Sequence, residues 1–488
     1  MPLKLRAGAA ARRPLVLVLL MLVYTCNSAD RSLIPIIGQA MKADLKLSDT
    51  QLGLLAGTAF AALYALSGIP IARLAERFSR VNILAAAVAL WSTLTMLFAL
   101  SGSFVQLIVV RIGVGIGEAG CSPCAHSLIS DYYDRSRRTT ALSVYSCGLS
   151  LGYLFVSTVG GYVTLHAGWR SACVVVGLPG VAVALLLKWL VAEPPRGVAE
   201  GRAATSAAPA PGFALGHELR ELGAVARALF LAWPAANIIL GLTVASFASY
   251  GSWAFLPAYF HRAFGIDYAT LGVALGLAGS VPVGLGTLAG GVLSDFMGAK
   301  SARWYALVPA AGLLAATPFY LAALVQREWT AAAVLLAIPG FFQYIALGPS
   351  FGVVQNVVSV RLRATATALL FVCLNVLALG GGPLFTGWLI DHLAQGYFAH
   401  SGGTSSAAFR AVCPGGAAPA RAAPALAGAC ARALAQASRT GILVTLTFYL
   451  WAAAHYLAAA HYLAAALGLA GQLRRAGDAA GTPHVSSR

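Results

Sequence analysis

Charge is scarce in this chain. Asp, Glu, Lys and Arg together make up 10% of its 488 residues, with 16 acids against 33 bases. A soluble domain is about 25% charged. One or two soluble domains of this length could not hide a composition that is 59% hydrophobic. Also missing are the alternating segments of ~10 residues that mark a membrane β-barrel. Base-stacking aromatic motifs are missing too, so the net charge of +17 does not indicate a nucleic-acid partner. Metal and cofactor motifs are likewise wanting. His455 and His461 recur in a tandem AHYLAA, a six-residue spacing that points them to different sides of a helix. The Cys-Ser-Pro-Cys at 121–124 lies inside an apolar run, where it reads as packing thiols at a proline kink.

In place of these the chain has apolar runs of about 20 residues, each long enough to cross a bilayer as a helix. Helix is the only spanning form open to them, because lipid offers the backbone no hydrogen bonds. Twelve spans are expected, at 14–36, 49–72, 81–100, 103–130, 139–165, 170–191, 234–260, 268–295, 303–325, 329–356, 362–391 and 439–472. The first follows Lys4, Arg6, Arg12 and Arg13 and lacks a small-residue cleavage site, so it reads as a retained span rather than a signal peptide. Ser48-Asp49-Thr50-Gln51 has the spacing of a capping box opening the second.

A Pro-, Ala- and Gly-rich stretch at 192–212 reads as a flexible linker. It divides the chain into a six-helix bundle over 1–192, a linker region over 193–232 and a second bundle over 233–473, with a tail at 474–488. Residues 215–230 have helical periodicity and mixed charge, either as a helix on the membrane surface or as a solvated linker helix. A long loop, 392–438, contains Cys413 and Cys430, either disulfide-bonded or as two free thiols. The bases gather in alternate connections: Arg73, Arg77 and Arg80; Arg135, Arg137 and Arg138; Lys300 and Arg303; Arg361 and Arg363. Positive charge marks the cytoplasmic side, so both termini and these connections are expected inside and loop 392–438 outside. The halves also repeat weakly. ARLAERFSR at 72–80 and GVLSDFMGAK at 291–300 place Glu76 and Asp295 at equivalent span ends. Such repeats are a habit of secondary transporters.

Twelve spans, a central linker and the loop at 72–80 resemble the major facilitator superfamily. Ala72, Glu76 and Ser79 stand where its Gly-x-Leu-x-Asp-Arg-x-Gly-Arg-like loop has Gly, Asp and Gly. The resemblance implies two pseudo-symmetric six-helix bundles and an inner gate held by Glu76, Arg77, Arg80 and Asp295. ADR at 29–31, PIARLAERFSR at 70–80, RIGVGIGEAG at 111–120, SLISDYY at 127–133 and GWR at 168–170 resemble the Spinster branch more narrowly. That branch implies lysolipid or sphingoid-lipid transport, and its bacterial members imply an inner-membrane location.

Two acids, Asp30 and Glu118, and two bases, Arg31 and Arg111, fall well inside expected spans. A charge at the bilayer centre costs ~3 kcal/mol or more, so such groups face a cavity or a partner. Arg111 and Glu118 are seven residues apart, two turns of one helix, and share a face. In the resembled fold spans 1 and 4 are neighbours, which lets Asp30 pair with Arg111. A carboxylate beside an arginine stays ionised. When the arginine leaves, taking a proton removes the uncompensated charge. Proton coupling through Asp30, Glu118 and Arg111 follows, and the alternative is a fixed ion-pair cluster that ties spans 1 and 4 together. Arg111 and Arg31 also suit an anionic headgroup.

The second half offers polar and aromatic groups, with Tyr250, Trp253, Tyr344 and Asn375 expected to face an amphipathic substrate, or else to pack. The expected function is a proton-coupled, alternating-access transporter, monomeric, without cofactor or metal, for an amphipathic or anionic small molecule. Multidrug efflux and organic-anion or carboxylate transport are the alternatives within the superfamily. An intramembrane enzyme would need His126 to work with Ser122 or Ser127, and no acid is placed to orient that histidine.

Overall fold

The computed structural model describes residues 2–133, 135–195, 215–356, 363–400, 409–416 and 422–479. No strand occurs among them. Eleven helices in this set are long and apolar enough to cross a membrane. One of these, Val144–Leu190, runs 47 residues and turns at Gly168, whose φ of 81° breaks it into spans 5 and 6. Glycine takes that left-handed geometry without steric cost, so twelve crossings result.

The spans run longer than their apolar cores. Span 1 is helical over Pro2–Leu45 rather than ending near 36, because Ile37 and Met41 continue its buried stripe past Pro35. Span 12 begins at Pro424 and the helix of span 11 ends at His400. Within the expected loop 392–438, residues 392–400 and 424–438 are therefore helix, and between them the described residues form a short helix at Phe409–Val412, a turn at Pro414–Gly416 and the lead-in 422–423 to span 12. The linker helix forms over Leu215–Phe230 and buries Val225 and Leu229. Ser48 and Gln51 make both halves of the capping box at the start of span 2.

Two spans are broken. Span 4 stops at Glu118 and resumes at Cys121; span 10 stops at Tyr344 and resumes at Leu347. These are equivalent positions of the two halves, and broken helices in membranes occur where they line a cavity. Wide, π-helical turns interrupt span 2 at Leu54–Thr58, span 5 at Val156–Gly160 and span 11 at Cys373–Gly380. Such turns often mark functional segments.

The two bundles meet through span 2 against span 11 and span 5 against span 8. Lipid gives no hydrophobic drive for helices to associate, so close backbone contact does the work. A Cβ added at Gly272 of span 8 would sit 1.8 Å from the Ser157 carbonyl oxygen, and one at Gly57 would sit 2.3 Å from that of Leu379. The contacts lie toward the end that carries Asp49 and Arg262. There a single apolar core runs through both bundles, joining Ile37, Met41 and Leu55 to Leu256, Ile390 and Leu446. At the opposite end, which carries Arg80, a separate core is built from buried residues of the first bundle, with Leu379 of span 11 packed against it. The molecule is closed at the Asp49 end.

Candidate functional site

Span 1 brings Asn27, Asp30 and Arg31 against Arg111 and Glu118 of span 4, and the charges pair crosswise. Arg111 Nη1 donates to Asp30 Oδ1 at 3.2 Å, and Arg111 Nε donates to the Leu55 carbonyl at 3.2 Å. The Thr95 hydroxyl of span 3 donates to Asp30 Oδ2. Two turns along, Arg31 Nε donates to Glu118 Oε2 at 2.7 Å, joined by Asn27 Nδ2 at 2.8 Å. Asp30, Arg111 and Glu118 are buried. Glu118 Oε1 has no hydrogen-bond partner among the described residues. A buried carboxylate oxygen left unmatched is costly in a dry interior.

Aromatic rings complete the cluster. The Arg31 guanidinium lies 4.9 Å from the Phe60 ring centre and 4.6 Å from that of Tyr64, while Arg111 lies 5.0 Å from Phe60. Arg31 keeps 31% of its side chain exposed and Tyr250 keeps 40%, although both are mid-span. The two lie within electrostatic reach of one another and of Tyr64, and Tyr344 is within reach of Tyr250 and Tyr24. Because these residues face one another across the bundles, their exposure is to the space between bundles rather than to lipid. That space has the charges, with Tyr24 and Tyr64, on the first-bundle wall and Tyr250 and Tyr344 on the second.

The remaining expected residues scatter. Trp253 donates to the Tyr320 hydroxyl at 3.4 Å and meets Tyr153 edge-on at 6.0 Å, on the flank of this space. Asn375 donates to the Phe371 carbonyl of its own helix at 2.8 Å, and no hydrogen bond joins it to the charged cluster among the described residues. Arg80 pairs with Asp131 at 2.5 Å and with Glu193 at 2.7 Å, all within the first half of the chain. Burial raises the Glu193 carboxyl, but the Val81 amide, Arg80 and Ser79 together hold it below the usual carboxylate range. The side chains of Glu76, Arg77 and Asp295 lie outside those described. Cys413 and Cys430 are joined as a disulfide. Cys121 and Cys124 are buried free thiols, and the Nδ1 of His455 meets Asn237 Oδ1 at 2.9 Å.

Sequence reasoning missed a second buried charge network at the closed end. Asp49 takes Lys42 Nζ on Oδ2 at 2.6 Å and Arg262 Nη2 on Oδ1 at 2.6 Å. Asp391 of span 11 accepts the amides of Asp49 and Thr50 at 3.0 and 2.8 Å. Arg262 also donates to Gln39 at 2.8 Å and to Ser438 at 2.7 Å. Four charges thus bolt spans 1 and 2 to spans 7, 11 and 12. The signal available was the capping box, whose Asp49 is the first helical residue rather than a solvated turn.

Twelve crossings in two bundles, broken helices at equivalent positions and a charged space between them define a secondary-transporter architecture. Residues 20–383 match the Major Facilitator Superfamily, and the chain belongs to that family. It is Spinster-like within it. A solved bacterial homologue of the human lysosomal transporter Spinster, inward-facing and unoccupied, superposes with a TM-score of 0.80 at 32% identity, covering 92% of this chain and 97% of that one. An MFS-type efflux pump of Mycolicibacterium smegmatis is 32% identical over 77% of this chain and 84% of its own. A hexuronate transporter of Bacillus subtilis is 26% identical over 81% of this chain and 93% of its own.

Proposed function

We propose that the chain is a proton-coupled transporter that works by alternating access in a bacterial inner membrane, with the Arg80 end and both termini cytoplasmic. The observation that carries this reading is the crosswise pairing of Asp30 with Arg111 and Arg31 with Glu118 beside an unmatched Glu118 oxygen. The bulkier alternative, a fixed clamp between spans 1 and 4, would have no use for a spare buried oxygen.

In the proposed cycle an anionic group of the substrate enters the space between the bundles and draws Arg31 and Arg111 toward itself. Asp30 and Glu118 lose their counter-charges and take protons, since an ionised carboxylate is untenable there alone. Closure of the Arg80 end through Glu76, Arg77, Arg80 and Asp295 accompanies opening at the other end. Tyr250 and Tyr344 contact the less polar part of the substrate, with Trp253 and Asn375 at the margins. The substrate is amphipathic or anionic, such as a lysolipid or sphingoid lipid. The closed Asp49 end and the inward-facing neighbour support assigning this state to the cytoplasm-open half of the cycle.

Transport of a small carboxylate is a second reading, favoured by the two guanidinium groups on one wall and by the likeness to a hexuronate transporter. Purified protein in liposomes, loaded in turn with a lysolipid and a hexuronate, separates the readings. Under an imposed pH gradient one substrate is expected to accumulate. Asp30→Asn should abolish accumulation while leaving substrate exchange at equal pH intact. Accumulation at the unaltered rate in that variant would remove Asp30 from the coupling.

A further inference from the structure

A cavity of about 190 Å³ opens at the Asp49 end, between the turn that joins spans 1 and 2 and the disulfide-held segment 409–416. At a liquid-water share of ~30 Å³ per molecule it has room for about six waters, or a small organic ion. Its charge is lopsided. Lys42, Lys46 and Arg410 line it, against one acid, Asp391. That acid is fully engaged elsewhere, accepting from the Asp49 amide and from both the amide and hydroxyl of Thr50. Lys42 is half-committed to Asp49. Lys46 and Arg410 have no ion-pair partner among the described residues.

The backbone adds a separate indication. Lys46 has a φ of 53°, the only positive φ outside glycine among the described residues. It ends span 1 in a left-handed turn, with the Leu47 amide donating to the Lys42 carbonyl at 3.1 Å. Glycine is the ordinary occupant of that position. A lysine there is strained, and what it adds over glycine is an ammonium group at the cavity mouth. Opposite, Gly415 and Gly416 have φ of 68° and 85° and lie directly on Lys42; a Cβ at Gly416 would come 3.4 Å from its Nζ. The Cys413–Cys430 bond holds this strap in place.

We propose that this cavity binds a small soluble oxyanion, a carboxylate or phosphate, from the aqueous phase at the Asp49 end, and that the bound anion competes with Asp49 for Lys42. The site is distinct from the space between the bundles and does not depend on proton coupling.

Thermal unfolding of the full-length protein in neutral detergent tests it, with citrate or inorganic phosphate titrated at constant ionic strength against chloride. At least one of the two oxyanions is expected to raise the unfolding midpoint. Lys46→Gly combined with Arg410→Ala should weaken that response about tenfold, the worth of a charge-assisted hydrogen bond. The first change suits the backbone, so folding is retained. Arg111→Ala, which disables the space between the bundles, should leave the response in place. The proposal is overturned if neither anion shifts the midpoint, if the response survives the double change, or if Arg111→Ala removes it. A response seen only with phosphatidylglycerol nanodiscs, and not with soluble anions, would likewise overturn it by assigning the cavity to a lipid headgroup.

Discussion

Phe60 is held between two guanidinium groups, those of Arg31 and Arg111. A flat ring between flat cations spaces the two ion pairs and lets either arginine slide across its face without losing all of its attraction. Lysine offers no such plane and no fork. Arg31→Lys is therefore expected to fold and reach the membrane, yet to transport about tenfold more slowly, from the loss of stacking on Phe60 and Tyr64. Transport at the full rate would show that only the charge matters. These four charged residues were legible in the sequence because each is expensive in an apolar run. The Arg31–Glu118 pairing was not, since it depends on Arg31 reaching two turns along span 4 rather than across. The phenols were legible only as a list, because which of them face the space depends on how the bundles tilt.

Helices of this protein touch by their backbones, and the wide turns sit where they do so. The Thr58 hydroxyl, at the end of the wide turn in span 2, donates to the Gly380 carbonyl at 2.7 Å, at the end of the one in span 11. A wide turn disturbs the regular hydrogen-bond ladder, and in lipid a freed carbonyl has to be met by a side chain. Gly272→Ala puts a methyl group 1.8 Å from a carbonyl of span 5. Overpacking of this kind costs about 1–3 kcal/mol or more, and the expected result is a lower unfolding midpoint with the Asp49 end forced open. Gly284→Ala, on the same span with nothing within 4 Å, is the control and should behave as the parent protein. Should the two variants unfold alike, close approach at Gly272 is not what joins the bundles. Span number and type could be read from apolar runs; the breaks after Glu118 and Tyr344 could not, because Gly120 and Pro339 have many ordinary neighbours in membrane helices.

For the whole molecule the question is what holds one end shut. Asp49 sits between two buried cations, Lys42 and Arg262. Asp49→Asn removes the carboxylate that both cations touch and leaves Lys42 only the more distant Asp391, a loss on the order of 3–5 kcal/mol. Shifting a two-state balance from 1:99 to 99:1 takes about 5.5 kcal/mol, so this one change is enough to move most molecules toward opening at that end. Reactivity of a cysteine placed at Leu256, which is buried in the closed core, with a membrane-impermeant thiol reagent reads the change. Reactivity as low as in otherwise unaltered protein would mean that the apolar core, not the charges, keeps the end closed. Sequence reasoning passed over this network because a lone charge near a span end is commonplace. Its significance lies in four such charges converging from four spans, with Ser438 of a fifth accepting from Arg262.

Span 1 carries both charge networks and fixes how far apart they stand. Its membrane segment of 33 residues is about 50 Å long at 1.5 Å per residue, against a hydrocarbon thickness of ~30 Å. Lys42 lies twelve residues beyond Asp30, about 18 Å along the axis. With Asp30 near the midplane, the bolt stands among the lipid headgroups, where ions are far cheaper to expose than in the acyl layer. One helix thus presents two charge clusters to two solvents. On the proposed cycle the inner cluster would part only when a proton or substrate replaces what it loses, whereas the outer one would part against water at every turn.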